Sequence, residues 1–341
     1  MEFFTDYISF FAKTVTLVFA AIAVVGAVAA AAQRHKKSHD EKLQVKNINQ
    51  RYRDMEAALN AGILGRKELK ARGRQDKKDR KTRDKKQKQG EGGRGRIYVL
   101  EFHGDMQASA VASLREEVSA LLTVAGGKDE VVVKLESGGG MVHGYGLAAS
   151  QLARLKERGI PLTVAVDKVA ASGGYLMACV ANTIIAAPFA VIGSIGVLAQ
   201  IPNLHRLLKK HDIDFEQFTA GEFKRTVTFL GPTTDKARDK MQSDVEDMHR
   251  LFKDFVIRQR PGVDIEKVST GEHWPALRAL ELGLVDKVQT SDDYLMSRRD
   301  HADIYAVKFT VRQTLAERLR LPFINSGSGR TANAAGPAPM V

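Results

Sequence analysis

The sequence predicts an α/β domain with a mainly parallel sheet over residues 97–323, placed after an N-terminal transmembrane helix. Two observations predict the domain: short apolar runs alternate with helical patterns of about ten or more residues, and several runs are apolar throughout. Strands of a parallel sheet are covered on both faces and have this continuous apolar character. A third observation, an uncharged run at residues 14–32, predicts the membrane helix.

The uncharged run from Thr14 to Ala32 can cross the hydrocarbon core of a bilayer at ~1.5 Å per residue. We therefore predict that residues 1–33 form a retained membrane anchor. A cleaved signal peptide is the alternative, because the alanines at 29–32 satisfy the small-x-small cleavage rule. The Lys and Arg residues after the run favour a cytoplasmic position for the rest of the chain, but long domains can cross a membrane against such a bias.

The next segment, residues 34–64, carries an amphipathic pattern. Its apolar residues from Val45 to Leu59 recur at alternating spacings of three and four, with polar residues between them. This spacing predicts a juxtamembrane amphipathic helix. The helix either self-associates or lies on its own domain.

Residues 65–96 are predicted to be a disordered basic linker. Residues 66–96 hold 15 Lys or Arg and 5 Asp or Glu, whereas the whole chain has a formal charge of +12, so the basicity belongs to this segment. Such a segment can adhere to anionic lipid headgroups. RNA binding is disfavoured because no aromatic residue is interleaved with the charges, and no nucleic-acid partner is expected.

Within the domain, periodicity and turn residues define the elements. The residues after 324 are rich in Gly, Ala, Ser and Pro, which predicts a disordered tail over 324–341. The predicted strands are 97–103, 130–135, 161–166, 213–219 and 304–309, and the predicted helices are 108–123, 142–158, one opening at Ser172, one from Pro232 to about Ile257, and 311–320.

Residues 169–204 contain no charged side chain and could be taken for a second membrane span. Pro188, Gly193 and Gly196 interrupt the run, so it is interpreted instead as buried strands of the core. Cys179, the single cysteine, lies in this run among apolar neighbours and is interpreted as a buried structural thiol. One cysteine also excludes an internal disulfide and a Cys-rich metal site.

Ser172 is the candidate nucleophile. It lies at a predicted strand-to-helix turn, where a hydroxyl is accessible, and Gly173 after it offers a backbone N–H near a helix N-terminus as an oxyanion donor. An ordinary helix N-cap serine is the alternative. The glycine-rich turn at 137–140 could supply a second N–H, or could be a tight turn without a ligand.

The base that would activate Ser172 is less evident from the residues alone. None of His143, His205 and His211 follows a predicted strand end that could face the serine. Lys224 follows the predicted strand 213–219, and a lysine acts as a base when an apolar site removes its proton. The alternative is an exposed lysine beside Arg225.

Five blocks in a fixed order then indicate a family. SGGG at 137–140, ASGGY at 171–175, GSIGV at 193–197, GEFKR at 221–225 and RALELGLVDKV at 278–288 together resemble the signal-peptide peptidase A family (S49) of Ser-Lys peptidases. The resemblance covers residues 97–292. The usual family turn is Ser-Pro-Gly-Gly, so this chain departs from it at Gly138, which removes no N–H donor.

The resemblance implies a role for each site residue. Ser172 corresponds to the nucleophile, Lys224 to the general base and Ser194 to the residue that orients the base. The oxyanion hole corresponds to Gly173 with either Gly139 or Gly140, between which the sequence does not decide.

The resemblance also implies a Clp/crotonase-like fold of repeated ββα units in a homo-oligomeric ring or dome. It implies an endopeptidase of a bacterial inner membrane that hydrolyses extended apolar peptides, such as signal-peptide remnants, and that needs neither cofactor nor metal. Two other hypotheses stay open: a non-catalytic membrane scaffold that binds peptides or a protease, and a crotonase-like acyl-CoA enzyme.

Overall fold

The computed structural model describes residues 13–16, 41–74, 77–78 and 94–311 of the 341-residue chain. The chain divides into two compact units, of which one comprises Met1–Gln44 with Phe309–Val341 and the other Val45–Lys308. In the first unit, residues 13–16 are helical, and Gln44 Nε2 donates a hydrogen bond to Thr310 Oγ1 over 3.2 Å. The predicted tail, the predicted helix at 311–320 apart from Val311, which ends a strand, and most of the predicted anchor lie outside the described residues.

The strands form two sheets. They are β1 Glu41–Asn47, β2 Arg96–His103, β3 Glu130–Glu136, β4 Leu162–Val166, β5 Val169–Ala171, β6 Thr183–Ala186, β7 Val191–Gly193, β8 His273–Pro275, β9 Lys287–Val288 and β10 Asp303–Val311. The larger sheet has the order β1-β10-β2-β3-β4-β6-β9, with parallel pairing at each neighbour from β10 to β9. The smaller sheet has the order β5-β7-β8, with β5 and β7 parallel and β7 and β8 antiparallel.

Helices cover both faces of the larger sheet within Val45–Lys308, which makes this unit a mixed α/β domain. One face packs against the helices Val111–Leu122 and Val142–Glu157 through Leu114, Val118 and Leu152, and the opposite face packs against the helix Ser291–Arg298 through Leu295. The helices are α1 Ile48–Ile63, α2 Val111–Leu122, α3 Val142–Glu157, α4 Gly173–Ala178, α5 His205–Lys210, α6 Asp235–Gln259, α7 Ile265–Val268, α8 Ala276–Glu281 and α9 Ser291–Arg298.

The apolar runs predicted as strands are the centre of this domain. All five residues of β4 are buried, as are Val131 to Val133 of β3, because both faces of these strands are covered. Most of the uncharged run 169–204 up to Ile195 is buried core as predicted, with Phe189 as an exposed exception, whereas Leu198 and Ile201 beyond it are exposed. Over the described ranges, no helix is long and apolar enough to span a bilayer.

The strand predicted at 213–219 is wrong. Residues 213–219 are irregular, and their alternating apolar residues, such as Ile213 and Phe215, are exposed. Alternation predicts a strand only where a neighbouring strand can satisfy the backbone N–H and C=O groups, and none lies beside this segment among the described residues.

The segment 34–64, predicted as an amphipathic helix, contains a strand before its helix. Asn47 caps α1 by accepting a hydrogen bond from Gln50 N over 2.8 Å, so the helix begins after β1. Asn49 attaches α1 to the domain: its Nδ2 donates to Arg299 O and Ala302 O over 2.8 and 3.0 Å, and its Oδ1 accepts from Ile304 N. The attachment is confined to the first turn, because the apolar residues Met55 and Leu59 further along the helix are exposed and do not pack on the domain.

The predicted linker also has helical structure at its start. Residues 66–74 are helical, whereas residues 79–93 lie outside the described part of the chain. Lys, Glu, Ala and Arg dominate the helical stretch and are good helix formers, although they give no apolar periodicity.

Cys179 generates a prediction about reactivity. The thiol is completely buried, and burial raises its pKa from about 9 to about 12. A buried neutral thiol is a poor nucleophile, so we expect no iodoacetamide labelling of the native protein at pH 8 and complete labelling in denaturant. Rapid labelling of the native protein would contradict this.

The same shift makes stability depend on pH. The thiol ionises near pH 9 in the unfolded protein and only near pH 12 in the folded protein. The contribution of the buried thiol to the free energy of unfolding is therefore complete below pH 9 and is lost as the pH rises towards 12. We expect this loss to be about 1.4 kcal/mol per pH unit in urea unfolding. Cys179→Ala is the control and should lack this component.

Candidate active site

Ser172 has a backbone conformation that is rare for residues other than glycine. It lies between β5 and α4 with φ 51° and ψ −118°. Its N–H donates to Gly193 O over 2.8 Å, and its C=O accepts from Leu176 N over 2.9 Å, so both backbone groups are held. Its side chain makes no capping hydrogen bond to α4, which excludes the ordinary N-cap interpretation. A strained serine at a sharp strand-to-helix turn is typical of a nucleophile.

The glycine-rich turn lies directly against this serine. A Cβ atom built on Gly139 would be 2.7 Å from Ser172 Cβ and 2.8 Å from Gly173 N, and Gly139 has a φ of 93°. Ser137, where the turn begins, forms a parallel bridge with Ala170 of β5. The chain therefore reaches this closeness only with glycine at position 139.

The backbone N–H groups of the two loops are not equivalent. The Gly139 N–H donates to Ser137 Oγ over 3.1 Å and is already engaged. The N–H groups of Gly140 and Gly173 donate to no acceptor in any hydrogen bond between described residues. The two loops thus present two unengaged backbone donors beside Ser172, which is the arrangement that an oxyanion hole requires.

Ser194 is brought next to Ser172 by strand register. β5 and β7 are parallel neighbours with Ala171 opposite Gly193, so the two serines follow at the same edge. Ser194 also has a positive φ, 52°, and its N–H donates to Glu272 O over 2.6 Å.

Lys224 is not brought to this group. It is exposed in the irregular segment 213–234, and no side-chain hydrogen bond or ion pair between described residues involves its amine. It lines a groove together with Phe215, Phe218 and Phe229.

His143, one of the three histidines considered from sequence, is exposed, and no hydrogen bond in the described part of the chain joins any of the three to Ser172. The same ranges contain no group of three or more His, Cys, Asp or Glu residues that could hold a metal ion.

Sequence patterns missed one buried side chain of the site. Tyr145 on α3 is fully buried, its Oη lies 2.6 Å from Ser137 Oγ, and it donates to Asp105 O over 2.8 Å. Burial raises the pKa of Tyr145, so its hydroxyl stays protonated through the neutral range. In the sequence Tyr145 has the pattern of an ordinary apolar position on a helix. Its contact with Ser137 is not visible there, because Ser137 lies on a different element.

Comparison with known proteins places these residues in a family context. Residues 2–152 match the family model described as peptidase family S49 N-terminal, and residues 154–305 match the model described as peptidase family S49. The "Probable protease SohB" of Haemophilus influenzae is 50% identical over 325 residues, covering 93% of this chain and 92% of the relative. That of Buchnera aphidicola subsp. Schlechtendalia chinensis is 48% identical over 306 residues, covering 87% and 100%.

These matches confirm the resemblance predicted from the five ordered blocks, and these two relatives, which align over most of this chain, carry the SohB name. Among solved structures, a point mutant of ClpP1 from Listeria monocytogenes aligns with a TM-score of 0.37 at 14% identity, covering 59% of this chain and 94% of that one.

Proposed function

The chain is a protease that belongs to peptidase family S49, and we propose that it hydrolyses peptide bonds with Ser172 as nucleophile and Lys224 as general base. The observation that carries the proposal is the strained Ser172 turn lying against a glycine turn, with the N–H groups of Gly140 and Gly173 unengaged beside it. This arrangement suits acyl transfer, in which negative charge develops on a carbonyl oxygen.

The proposed reaction proceeds through an acyl-enzyme. Neutral Lys224 accepts the proton of Ser172 Oγ while that oxygen bonds to the substrate carbonyl carbon, and Ser194 orients the lysine amine. The tetrahedral oxyanion accepts hydrogen bonds from Gly173 and Gly140. We assign Gly140 rather than Gly139 because the Gly139 N–H already donates to Ser137.

The intermediate then collapses in two stages. The C–N bond breaks as Lys224 returns the proton to the leaving amine, which leaves an ester on Ser172. Water attacks this ester and gives a proton to Lys224, and the ester bond then breaks as Lys224 returns the proton to Ser172 Oγ, which releases the acid and regenerates the serine and the neutral lysine. Every proton in this sequence passes through the lysine, so no cofactor or metal is required.

The position of Lys224 supports a proposal about assembly. An amine acts as a base at neutral pH only when it is desolvated, and the segment around Lys224 is exposed. The segment also exposes large apolar side chains, among them Phe218 at 91% and Phe229 at 47%. Patches of this kind mark surfaces that a partner covers. We propose a Clp/crotonase-like homo-oligomer in which this cover desolvates the lysine and brings an amine to each serine.

The proposed substrates are extended apolar peptides such as signal-peptide remnants, which the protease would meet at a bacterial inner membrane. The uncharged run 14–32 supports a single-pass anchor, and Phe215, Phe218 and Phe229 in the groove beside Lys224 could contact the apolar side chains of a peptide.

Membrane anchoring is tested by extraction. We expect the full chain to stay with the membrane pellet in alkaline carbonate and to enter the supernatant in detergent. A chain lacking residues 1–33 should be released, and it serves as the control. Carbonate release of the full chain would contradict the anchor.

The dyad is tested by substitution. We expect Ser172→Ala and Lys224→Ala each to lower kcat/KM for a fluorogenic apolar peptide by roughly 10³-fold or more, because each removes one member of a proton-transfer pair. Lys210→Ala removes another exposed lysine at the end of α5 and should leave activity unchanged. Wild-type turnover in Lys224→Ala would refute the assignment of Lys224 as the base. A fluorophosphonate that labels a different serine would refute the assignment of Ser172 as the nucleophile.

Assembly is tested on the exposed segment. We expect Phe218→Asp to reduce the sedimentation coefficient and the peptidase activity together, because a carboxylate cannot be buried in an apolar interface without a large penalty. Phe189→Asp is the matched control, since Phe189 is 82% exposed but lies in the turn between β6 and β7. An unchanged oligomer in Phe218→Asp would overturn the proposed interface.

A further inference from the structure

One buried tyrosine lies beneath both loops of the proposed oxyanion hole. Tyr145 is the fourth residue of α3, and its N–H donates to Met141 O over 3.1 Å, directly after the glycine turn. A Cβ atom built on Gly173 would be 2.4 Å from Cγ of the Tyr145 ring. The backbone of Gly173 therefore rests on the ring at a distance that allows no side chain between them.

The hydroxyl of the same tyrosine reaches the other loop, and proton counting fixes the direction of each hydrogen bond. Tyr145 Oη has one proton, and it donates this proton to Asp105 O, which can only accept. The 2.6 Å contact between Tyr145 Oη and Ser137 Oγ must therefore use the serine proton. The Ser137 oxygen then accepts the N–H of Gly139 over 3.1 Å.

These three bonds form a chain with a single direction: Gly139 N–H to Ser137, Ser137 to Tyr145, and Tyr145 to the carbonyl of Asp105. The two hydroxyl groups are closely surrounded by the backbone at Gly104. A Cβ atom on Gly104 would already be 2.3 Å from Tyr145 Oη and 2.4 Å from Ser137 Oγ. Loss of the tyrosine hydroxyl thus leaves Ser137 without an acceptor in a closed, buried space.

This chain of hydrogen bonds determines which N–H group of the glycine turn stays available. With the Gly139 N–H directed to Ser137, the orientation of that peptide is fixed and the next donor, Gly140 N–H, is left unengaged. Met141 N–H also donates to Met106 O over 2.8 Å, which holds the other side of Gly140.

We propose that Tyr145 is a positioning residue that holds both oxyanion donors, Gly173 through its ring and Gly140 through Ser137. This inference rests on the proposed function and adds to it a residue that contacts neither the substrate nor the nucleophile. Donors placed in advance contribute mainly to the transition state, in which the charge on the oxygen is largest.

Tyr145→Phe tests the hydroxyl, because it keeps the ring beneath Gly173. We expect kcat for the fluorogenic peptide to fall about 10-fold to 100-fold while KM stays within about twofold. A peptide aldehyde forms a tetrahedral adduct with the serine, so its inhibition constant should rise by the same factor as kcat falls.

Tyr175→Phe is the matched control. Tyr175 is also fully buried, and its hydroxyl donates to Leu284 O over 3.0 Å, away from the glycine turn. We expect a similar decrease in melting temperature for both variants but a decrease in kcat for Tyr145→Phe alone. A purely structural role for Tyr145 would make the two variants alike in kcat.

Ser137→Ala supplies the second test. It breaks the same chain, so we expect a similar loss in kcat and no further loss when it is combined with Tyr145→Phe. Additive losses, a change in KM instead of kcat, or equal kcat in the two tyrosine variants would each overturn the inference. If Ser172→Ala is inactive while Tyr145→Phe behaves like Tyr175→Phe, only this inference fails. If Ser172→Ala is active, both the proposed function and this inference fail.

Discussion

The candidate site depends on one close contact, that between the backbone at Gly139 and the turn that carries Ser172. A Cβ atom at Gly139 would be 2.7 Å from Ser172 Cβ, so position 139 accepts no side chain while the two loops lie this close. The contact is set by strand pairing. Ser137 donates its N–H to Val169 O and accepts from Ala171 N, which aligns the end of β3 with β5.

Strand register extends this alignment to a third chain segment. β7 lies beside β5, so Ser172 and Ser194 follow paired residues, and both have a positive φ. A non-glycine residue in such a conformation costs about 1–3 kcal/mol and persists only where surrounding hydrogen bonds define it. Here the Ser172 N–H is held by Gly193 O and the Ser194 N–H by Glu272 O. Backbone pairing in the smaller sheet thereby maintains two strained serines at one edge.

Much of this framework could be predicted from the sequence, because buried parallel strands and amphipathic helices leave clear local patterns. The strands β2, β3 and β4 and the helices α2 and α3 fall within a few residues of their predicted bounds. Ser172 was identifiable because strand, turn glycines and helix follow one another along the chain. The strand expected at 213–219 failed because its alternation reflects apolar residues that this chain alone does not cover.

Tyr145 shows a different limit of sequence patterns. Its role depends on Ser137 and Asp105, which lie on separate elements, and on the absence of a side chain at Gly104 and Gly173. No local pattern records a contact of that kind. The choice between Gly139 and Gly140 likewise needed the hydrogen bond from Gly139 to Ser137.

The two halves of the proposed machinery differ in what they require from the protein. Oxyanion donors are effective when they are fixed before the reaction, and a buried sheet edge with a tyrosine beneath it provides this within one chain. A lysine base requires a desolvated amine, which an exposed segment bearing Phe218 and Phe223 provides only once it is covered. In the proposed function the donors are therefore complete in the single chain, whereas the base becomes competent on assembly. Proteolysis would then be confined to the assembled enzyme, because an isolated chain would hold a strained serine and an oxyanion hole without a group to take the proton.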